Sequence, residues 1–416
     1  MLKKLKLELK QILFRAGGFL KTDIIYIMRQ GSWLAGGEIV NNVLGVVLII
    51  AFANLIPAST YGIYKYILSI YGIFALFGLS GAGPAIIKSV AEGNEGIFKP
   101  ALKIQIKWGV LGSLGTLLVA LYYFAKGNEI FGYSFIIAAV VLPFFESLNT
   151  YQHILAGKKR FDLQTKYYSA TRIISALSLI LTLFLSKNIL VILSAYFLPY
   201  IISNFIFGSL SLKKVVLNNK SDSRATAYIK HLSFINAVSF AVNYLDGIII
   251  FQLLGPIQLA IFSIAFAPMT RVQSFLGIIP EISLPKYAER PIDEIKTTIV
   301  KKILKSMIVC ALIVSAYIAF VPFFFKWFLP QYSESIIFAQ ILAVPLIWYP
   351  LALLSRVLLA KGATRYIYYY NLIESALQLV IMFTAIYFFG LMGAVMGRIA
   401  VSMAGNSLLY HYFKKL

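Results

Sequence analysis

Apolar runs of about twenty residues recur along the whole chain and are separated by short polar segments. This is the length that an α-helix needs to cross a bilayer, whereas the strands of a membrane barrel would appear as alternating segments of about ten residues. The chain is therefore predicted to be an all-α polytopic membrane protein. The predicted transmembrane helices, numbered as spans 1–12, are 32–54, 64–87, 106–125, 130–155, 169–186, 188–211, 232–254, 257–281, 304–326, 335–355, 366–388 and 391–411.

The composition agrees with a membrane protein. Hydrophobic residues make up 60% of the chain, charged residues make up 13%, and the mean hydropathy is +0.81. Soluble domains carry about 25% charged residues. Only one cysteine, Cys310, is present, so neither a disulfide framework nor a cysteine-based metal site is expected.

The 38 lysines and arginines give a net charge of +22, and their placement predicts the topology. Arg271 and Arg398 fall inside spans. The odd-numbered connections hold only Lys65, Lys126, Lys187 and Lys326. All the other basic residues lie in the N-terminal segment, the even-numbered connections and the span ends beside them, or the C-terminus, so both termini are predicted to be cytoplasmic. Basic residues so placed are expected to contact membrane lipids, and no nucleic-acid partner is expected.

The N-terminal segment begins MLKKLKLELKQILF, which places leucines on one helical face and lysines on the other. Residues 1–30 are therefore predicted to form an interfacial amphipathic helix. A signal peptide is the alternative, but no small-residue cleavage site follows.

An internal repeat divides the rest of the chain into two halves. LIPASTYGIY (55–64) follows span 1, and the similar LLGPIQLAIF (253–262) follows span 7. SALSL (175–179) likewise matches SALQL (375–379). The repeat predicts an N-lobe of six helices (31–212), a cytoplasmic linker (213–231) and a six-helix C-lobe (232–416). Because six spans is an even number, the halves are parallel repeats, and a substrate cavity is expected between them.

Several charged residues are predicted to lie within the membrane. They are Asp246, Glu38, Glu146, Arg271, Glu374 and Arg398. At roughly 3 kcal/mol each, such charges are too costly to face lipid, so they must face the bundle interior or water. Polar residues recur at helical spacing beside them, and Asn42, Asn243 and Gln378 are predicted to line the cavity.

The 6+6 layout and the Leu-x-Pro…Gly-x-Tyr step after span 1 resemble the polysaccharide-export branch of the multidrug/oligosaccharidyl-lipid/polysaccharide exporter superfamily. Asp246 in NYLDGIII matches an aspartate that this family carries in span 7. One departure is Ile56, where the family has a glycine that Gly255 retains in the second repeat. The resemblance implies a Wzx-type flippase of O-antigen or capsule biosynthesis. Its substrate would be an undecaprenyl-diphosphate-linked oligosaccharide, moved from the cytoplasmic to the outer leaflet of the bacterial inner membrane.

In a flippase of this kind, arginines deep in the bundle would bind the diphosphate, because guanidinium groups bind phosphate oxygens in bidentate fashion. Arg271, Arg398 and Arg29 are the candidates. Each has an alternative role: Arg271 could pair with Asp246 or Glu374 as a structural lock. Arg398 could serve packing, and Arg29 could anchor a lipid headgroup.

Asp246 has three candidate roles, which are coupling to a proton or cation, balancing the charge of an arginine, and packing. Glu38, Glu374 and Glu146 are weaker candidates for the same roles. The only coupling expected is to an H⁺ or Na⁺ gradient. No cofactor, metal site or catalytic residue is predicted, since the sequence has neither a Walker-type loop nor metal-ligand spacing.

Two other functions compete with the flippase. A multidrug exporter of the same superfamily would favour an acidic cavity. A membrane glycosyltransferase or polymerase would require a sizeable outer loop, and none is predicted here. Besides the lipid-linked glycan and membrane lipids, the resemblance implies a polysaccharide polymerase and chain-length proteins as partners.

Overall fold

The structure is a computed structural model that describes residues 24–79, 81–220 and 225–416. The predicted interfacial helix therefore lies, up to residue 23, outside the described residues. Within the described part, every element of regular secondary structure is helical. The helices are α1 (Ile24–Leu55), α2 (Ala58–Ala75), α3 (Ala82–Ala91), α4 (Phe98–Ala125), α5 (Glu129–Phe145), α6 (Thr150–Gly157), α7 (Phe161–Leu185), α8 (Ile189–Lys214), α9 (Ala225–Leu254), α10 (Pro256–Glu289), α11 (Ile292–Phe328), α12 (Ser335–Ala343), α13 (Ala352–Ala360) and α14 (Thr364–Lys414).

Ten helical segments in the described residues are long and apolar enough to cross a membrane. The last of these, α14, has 51 residues and would be roughly 77 Å long as one straight helix, more than twice the bilayer core. Gly390 interrupts it with non-helical dihedral angles, φ 57° and ψ −137°. Predicted spans 11 and 12 are the two arms of this kinked helix. Predicted span 7 lies in α9, whose described apolar segment is the shorter Phe240–Leu254. The count of twelve stays a prediction.

Three of the membrane-crossing segments are each built from two helices. Span 2 is α2 followed by a 3₁₀ turn and α3, with Leu79 in the left-handed conformation at φ 58°. Span 4 breaks after Pro143 into the 3₁₀ turn Ser147–Asn149, and span 10 breaks at the 3₁₀ helix Val344–Leu351. Proline lacks the N–H that a continuous helix requires, so it permits these breaks. Both sequence repeats therefore interrupt their fourth span.

The helices up to Lys214 pack mainly on one another, and so do those from Ala225 onward. The principal contacts between the two groups join α2 to α9 and α10. Residues of the predicted linker lie against the first group: the Asn218 backbone N–H donates to Glu95 Oε2 (2.8 Å), and Lys158 forms an ion pair with the same carboxylate. α9 begins seven residues before the predicted start of span 7.

The two copies of the repeated motif meet across the interface between the halves. The backbone of α2 at Gly62 lies so close to the Pro256 carbonyl that a Cβ atom at Gly62 would overlap it. Tyr66 stacks on Phe251 with ring centroids 3.9 Å apart, and Gln252 Nε2 donates to Tyr66 Oη (2.7 Å). These contacts hold the halves together at the end predicted to be extracellular.

Replacing Gly62 with valine is expected to separate the halves at this end, because overpacking a tight contact costs about 1–3 kcal/mol. Leu259 is buried at this interface. A cysteine placed there should react about tenfold faster in the Gly62→Val protein than in the protein that keeps Gly62, when an impermeant maleimide is applied outside right-side-out vesicles. The assay uses a Cys310→Ser background. Gly36→Val is the matched control, since a Cβ atom at Gly36 meets no side chain or neighbouring helix of the described residues within 4 Å. Equal labelling of the two variants would contradict the role given to Gly62.

Candidate functional site

A central cavity lies between the two halves and has two adjoining chambers. The first chamber, of about 260 Å³, lies mostly within the first half and is lined by α1, α2, α7 and α8, together with Phe145 of α5 and Arg271 of α10. The second, of about 470 Å³, is lined mainly by α2, α9 and α10, with Arg398 of α14. Both chambers include Tyr61, Lys65 and Arg271 in their walls. The repeat thus correctly predicts a cavity between the halves.

Three basic side chains, here called the basic cluster, line the first chamber: Lys65, Arg172 and Arg271. Gly45 of α1 makes room for the Arg271 guanidinium, since a Cβ atom there would lie 2.5 Å from Arg271 Cζ. Among the described residues, no carboxylate oxygen lies within 4.0 Å of any of the three basic groups. The Nε atoms of Arg172 and Arg271 are buried without a hydrogen-bond partner in the described part of the chain. The cluster therefore has unused capacity to bind an anion.

An aromatic wall lies beside the basic cluster in the first chamber. Tyr64 contacts Tyr196 edge-on with centroids 5.9 Å apart, and Tyr200 stacks on Phe145 at 4.3 Å. The Arg172 guanidinium lies 5.6 Å from the Tyr200 ring centroid. Aromatic faces beside cationic groups can bind sugar rings and phosphates in one cavity.

Asp246 is paired with Arg398, on the wall of the second chamber. The two side chains form an ion pair, and Gln378 Nε2 lies 3.3 Å from both carboxylate oxygens of Asp246. Arg398 also lies over the ring of Phe266, 5.2 Å from its centroid. Only 3% of Asp246 is exposed. The structural lock considered for Arg271 is therefore formed by Arg398 in its place, and Arg398 reaches the cavity with its charge already partnered.

Other predicted residues also line the second chamber. Glu146 lies where span 4 breaks and interacts electrostatically with Arg172. Asn243 is one turn from Asp246 on α9 and lines the same chamber. Gln378, which was also predicted to line the cavity, lines neither chamber, and its Nε2 instead contacts the Asp246 carboxylate.

Several predicted cavity residues lie elsewhere. Asn42 is buried and donates to the Glu38 carbonyl within its own helix, and its neighbour Asn41 lines the cavity instead. Glu38 is exposed, although it interacts electrostatically with Arg271. The side chain of Arg29 lies outside the described residues. Helical spacing shows which residues share a helix face but not whether that face points into the cavity. This is why Asn41 lines the cavity and Asn42 does not.

Glu374 lines a separate cavity of about 240 Å³ inside the second half. Its carboxylate is hydrogen-bonded with Tyr370, and Tyr349 lines the same space. This cavity lies behind α10: its walls include Met269 and Gln273, which lie on the opposite helical face from Arg271. Glu374 of span 11 therefore does not line the central cavity.

Sequence reasoning missed two members of the basic cluster. The charge pattern places Lys65 in an outside connection, but α2 begins at Ala58 and carries it about two turns into the bundle. Arg172 was counted with the cytoplasmic loops, but it lies about three turns into α7. Arg172 falls within predicted span 5 and has Ser175 and Tyr168 one turn away, a polar stripe that could have identified it.

The fold is similar to those of solved transporters. An inward-facing multidrug resistance MATE family transporter of the MOP superfamily is 16% identical and has a TM-score of 0.60, with 91% of this chain and 95% of that one covered. A eukaryotic MATE transporter is 16% identical, with a TM-score of 0.62 and coverage of 93% and 96%. The lipid II flippase MurJ, in an inward closed conformation, is 12% identical, with a TM-score of 0.62 and coverage of 91% and 87%.

No curated protein sequence matches the chain. At these identities, the solved structures show a shared fold. The family is shown by sequence: the family model described as "Polysaccharide biosynthesis protein" matches residues 27–286, which is more than half of the chain. This agrees with the resemblance seen in the repeated motif and in Asp246, and the chain belongs to the polysaccharide biosynthesis protein family.

Proposed function

We propose that the protein is a flippase that moves an undecaprenyl-diphosphate-linked oligosaccharide from the cytoplasmic to the outer leaflet of a bacterial inner membrane. The observation that carries the proposal is the basic cluster of Lys65, Arg172 and Arg271 in the central cavity. Three like charges that line one chamber repel one another, because repulsion between partly buried groups is only weakly screened by water. A bound diphosphate would replace this repulsion with attraction.

The aromatic wall supports the glycan part of the proposed substrate. Tyr64, Tyr196 and Tyr200 line the same chamber as the basic cluster. Aromatic rings offer apolar faces to the C–H faces of sugars, and their hydroxyl groups offer hydrogen bonds. A diphosphate on the basic cluster would place the first sugars of the glycan within the first chamber.

Export of organic cations, the alternative within the superfamily, is disfavoured by the charge of the cavity. The two carboxylates on its wall are Asp246, which is paired with Arg398, and Glu146, which lies near Arg172. A cationic drug would have to displace these partners and also approach three basic groups. The similarity to MATE transporters concerns the fold and carries no information about the transported substrate.

The flippase would work by alternating access. The contacts of Gly62 and Tyr66 with α9 and α10 close the predicted extracellular end, which leaves the cavity to load from the cytoplasmic side. We place coupling at Asp246, where a proton or Na⁺ would compete with Arg398 for the carboxylate. Delivery of the glycan to a polysaccharide polymerase and chain-length proteins belongs to the same proposal, as do cytoplasmic termini.

The test is competition between lipids in proteoliposomes that contain the purified protein and a labelled undecaprenyl-diphosphate oligosaccharide. Undecaprenyl diphosphate should inhibit flipping at a concentration about tenfold lower than undecaprenyl phosphate, because the second phosphate adds charge-assisted hydrogen bonds worth about 1.5–3 kcal/mol each. Arg172→Gln should reduce that preference. The control is Arg160→Gln, which removes a surface arginine paired with Asp162 at 3.0 Å.

The proposed function fails if the wild-type protein does not move the labelled lipid. It also fails if an organic cation is exported and inhibits flipping more strongly than undecaprenyl diphosphate does. If both lipids compete equally, the cluster does not recognise a diphosphate.

A further inference from the structure

An apolar groove lies on the outside of the bundle, where α2, α4 and α9 meet. It has a volume of about 250 Å³, and its walls are almost entirely apolar. Its residues are Ile73, Leu76, Phe77, Leu79, Trp108, Ser233, Phe234, Ala237, Val238 and Ala241. Phe234 and Val238 are 54% and 48% exposed, so the groove opens towards the lipid. Its position along α2 and α9 places it in the half of the bundle nearer the predicted cytoplasmic face.

The groove adjoins the central cavity through the wall formed by α2 and α9. Gly72 and Ala75 line the cavity, and their chain neighbours Ile73 and Leu76 line the groove. On α9 the cavity residue Tyr244 lies one turn beyond the groove residue Ala241. A polar cavity and an apolar groove therefore lie on opposite sides of one helix seam.

The aromatic ring of Tyr244 packs at this seam. The Tyr244 ring lies directly over Gly72, and a Cβ atom at Gly72 would collide with it. Tyr244 is nevertheless 39% exposed, so its side chain has space on the cavity side. Movement of this ring would connect the groove to the cavity without unfolding either helix.

A second apolar groove provides a comparison. It has a volume of about 420 Å³, lies between α11, the break in span 10 and α14, and includes Leu304, which is 55% exposed. None of its lining residues is next in the chain to a residue that lines the central cavity. It is equally suited to ordinary lipid chains, but it does not adjoin the basic cluster's cavity.

We propose that the groove between α2, α4 and α9 binds the isoprenoid chain of the lipid-linked substrate, and that Tyr244 is the gate between chain and headgroup. The inference rests on the proposed function, since it requires a ligand with a polar head and an apolar tail. The headgroup lies in the central cavity. The chain passes between α2 and α9 beside Gly72 and lies along Phe234 and Val238, where it stays in contact with the bilayer.

The first test uses a photoreactive benzoylphenylalanine at Val238, with the same residue at Leu304 as the matched control. Both proteins are reconstituted in phosphatidylglycerol vesicles with radiolabelled undecaprenyl diphosphate and irradiated. Labelling at Val238 should exceed that at Leu304 about tenfold, and excess unlabelled undecaprenyl diphosphate should abolish the difference. Equal labelling at the two positions would mean that the groove holds ordinary bilayer lipid, and the proposal would be overturned.

The second test fills the groove. Ala237→Phe should raise the KM for the lipid-linked substrate about tenfold with little change in kcat, because it removes binding that is equal in ground and transition states. Ala316→Phe, on an exposed position of α11, is the matched control. Unchanged KM in Ala237→Phe would overturn the proposal. Failure of the wild-type protein to flip would instead overturn the proposed function, and the labelling at Val238 would still decide whether the groove selects isoprenoid chains.

Discussion

Replacing Arg271 with alanine is expected to lower the flipping rate about 10- to 100-fold, while the protein still inserts and folds. A charge-assisted hydrogen bond to a phosphate contributes about 1.5–3 kcal/mol, which corresponds to this range. The fold should tolerate the change because Arg271 has no ion-pair partner within 4.0 Å among the described residues, so no buried carboxylate is left uncompensated. Its removal also relieves repulsion with Arg172 and Lys65.

Flipping of a labelled undecaprenyl-diphosphate oligosaccharide in proteoliposomes measures the rate, and the thermal unfolding midpoint in detergent measures stability. Arg271→Lys should retain part of the activity, because it keeps the charge and loses the bidentate geometry. Lys126→Ala is a suitable control, since Lys126 follows the last residue of α4, is exposed and lines neither chamber of the cavity. A wild-type rate in Arg271→Ala would show that this arginine does not bind the substrate, and would remove the main argument against the drug-exporter function.

Replacing Asp246 with asparagine is expected to destabilise the protein by about 3–5 kcal/mol, since Arg398 would be left as an unpaired charge in the protein interior. Arg398→Met should cost a similar amount, because it leaves the carboxylate of Asp246 unpaired. Combining Asp246→Leu with Arg398→Met should restore most of the stability. Removal of a buried ion pair as a unit is often neutral, whereas removal of one partner is not.

Unfolding midpoints of the wild type, both single variants and the double variant form a double-mutant cycle that measures the coupling between the two side chains. Ser402→Ala, one turn from Arg398 on α14, serves as a control for polar substitutions on the same helix. Flipping by the double variant, Asp246→Leu with Arg398→Met, should no longer depend on an imposed H⁺ or Na⁺ gradient. Additive losses of stability would contradict the ion pair, and an unchanged gradient dependence would assign Asp246 to charge balance alone.

The fold class, the repeat and the family could be predicted from the sequence because each depends on local or periodic features. Twenty apolar residues can satisfy their backbone groups in lipid only as a helix, wherever they lie in the chain. The matching steps at Leu55 and Leu254 predicted two parallel halves, and Gly62 and Pro256 of these steps meet across the interface. The cost of a charge in lipid also required Asp246 and Arg271 to face the interior.

The composition of the site was decided only by the tertiary structure. Which helix face points into the central cavity depends on how each helix rotates against distant segments, and residue spacing carries no information about that rotation. Asn41 therefore lines the cavity where Asn42 was predicted, and Glu374 faces a separate cavity. The partner of Asp246 likewise became apparent only when α9 and α14 packed together.

Lys65 and Arg172 illustrate the same division. Hydropathy locates an apolar segment but does not show where the helix begins. Charged residues in the first turns of a helix therefore cannot be distinguished from loop residues by sequence. Packing then carries α2 and α7 beyond their apolar segments and brings both side chains to Arg271. The sequence by itself determined that charges must lie inside a two-lobed helical bundle, because lipid excludes them. The tertiary structure decided which charges neutralise one another and which remain free for a ligand, because that depends on contacts between residues far apart in the chain.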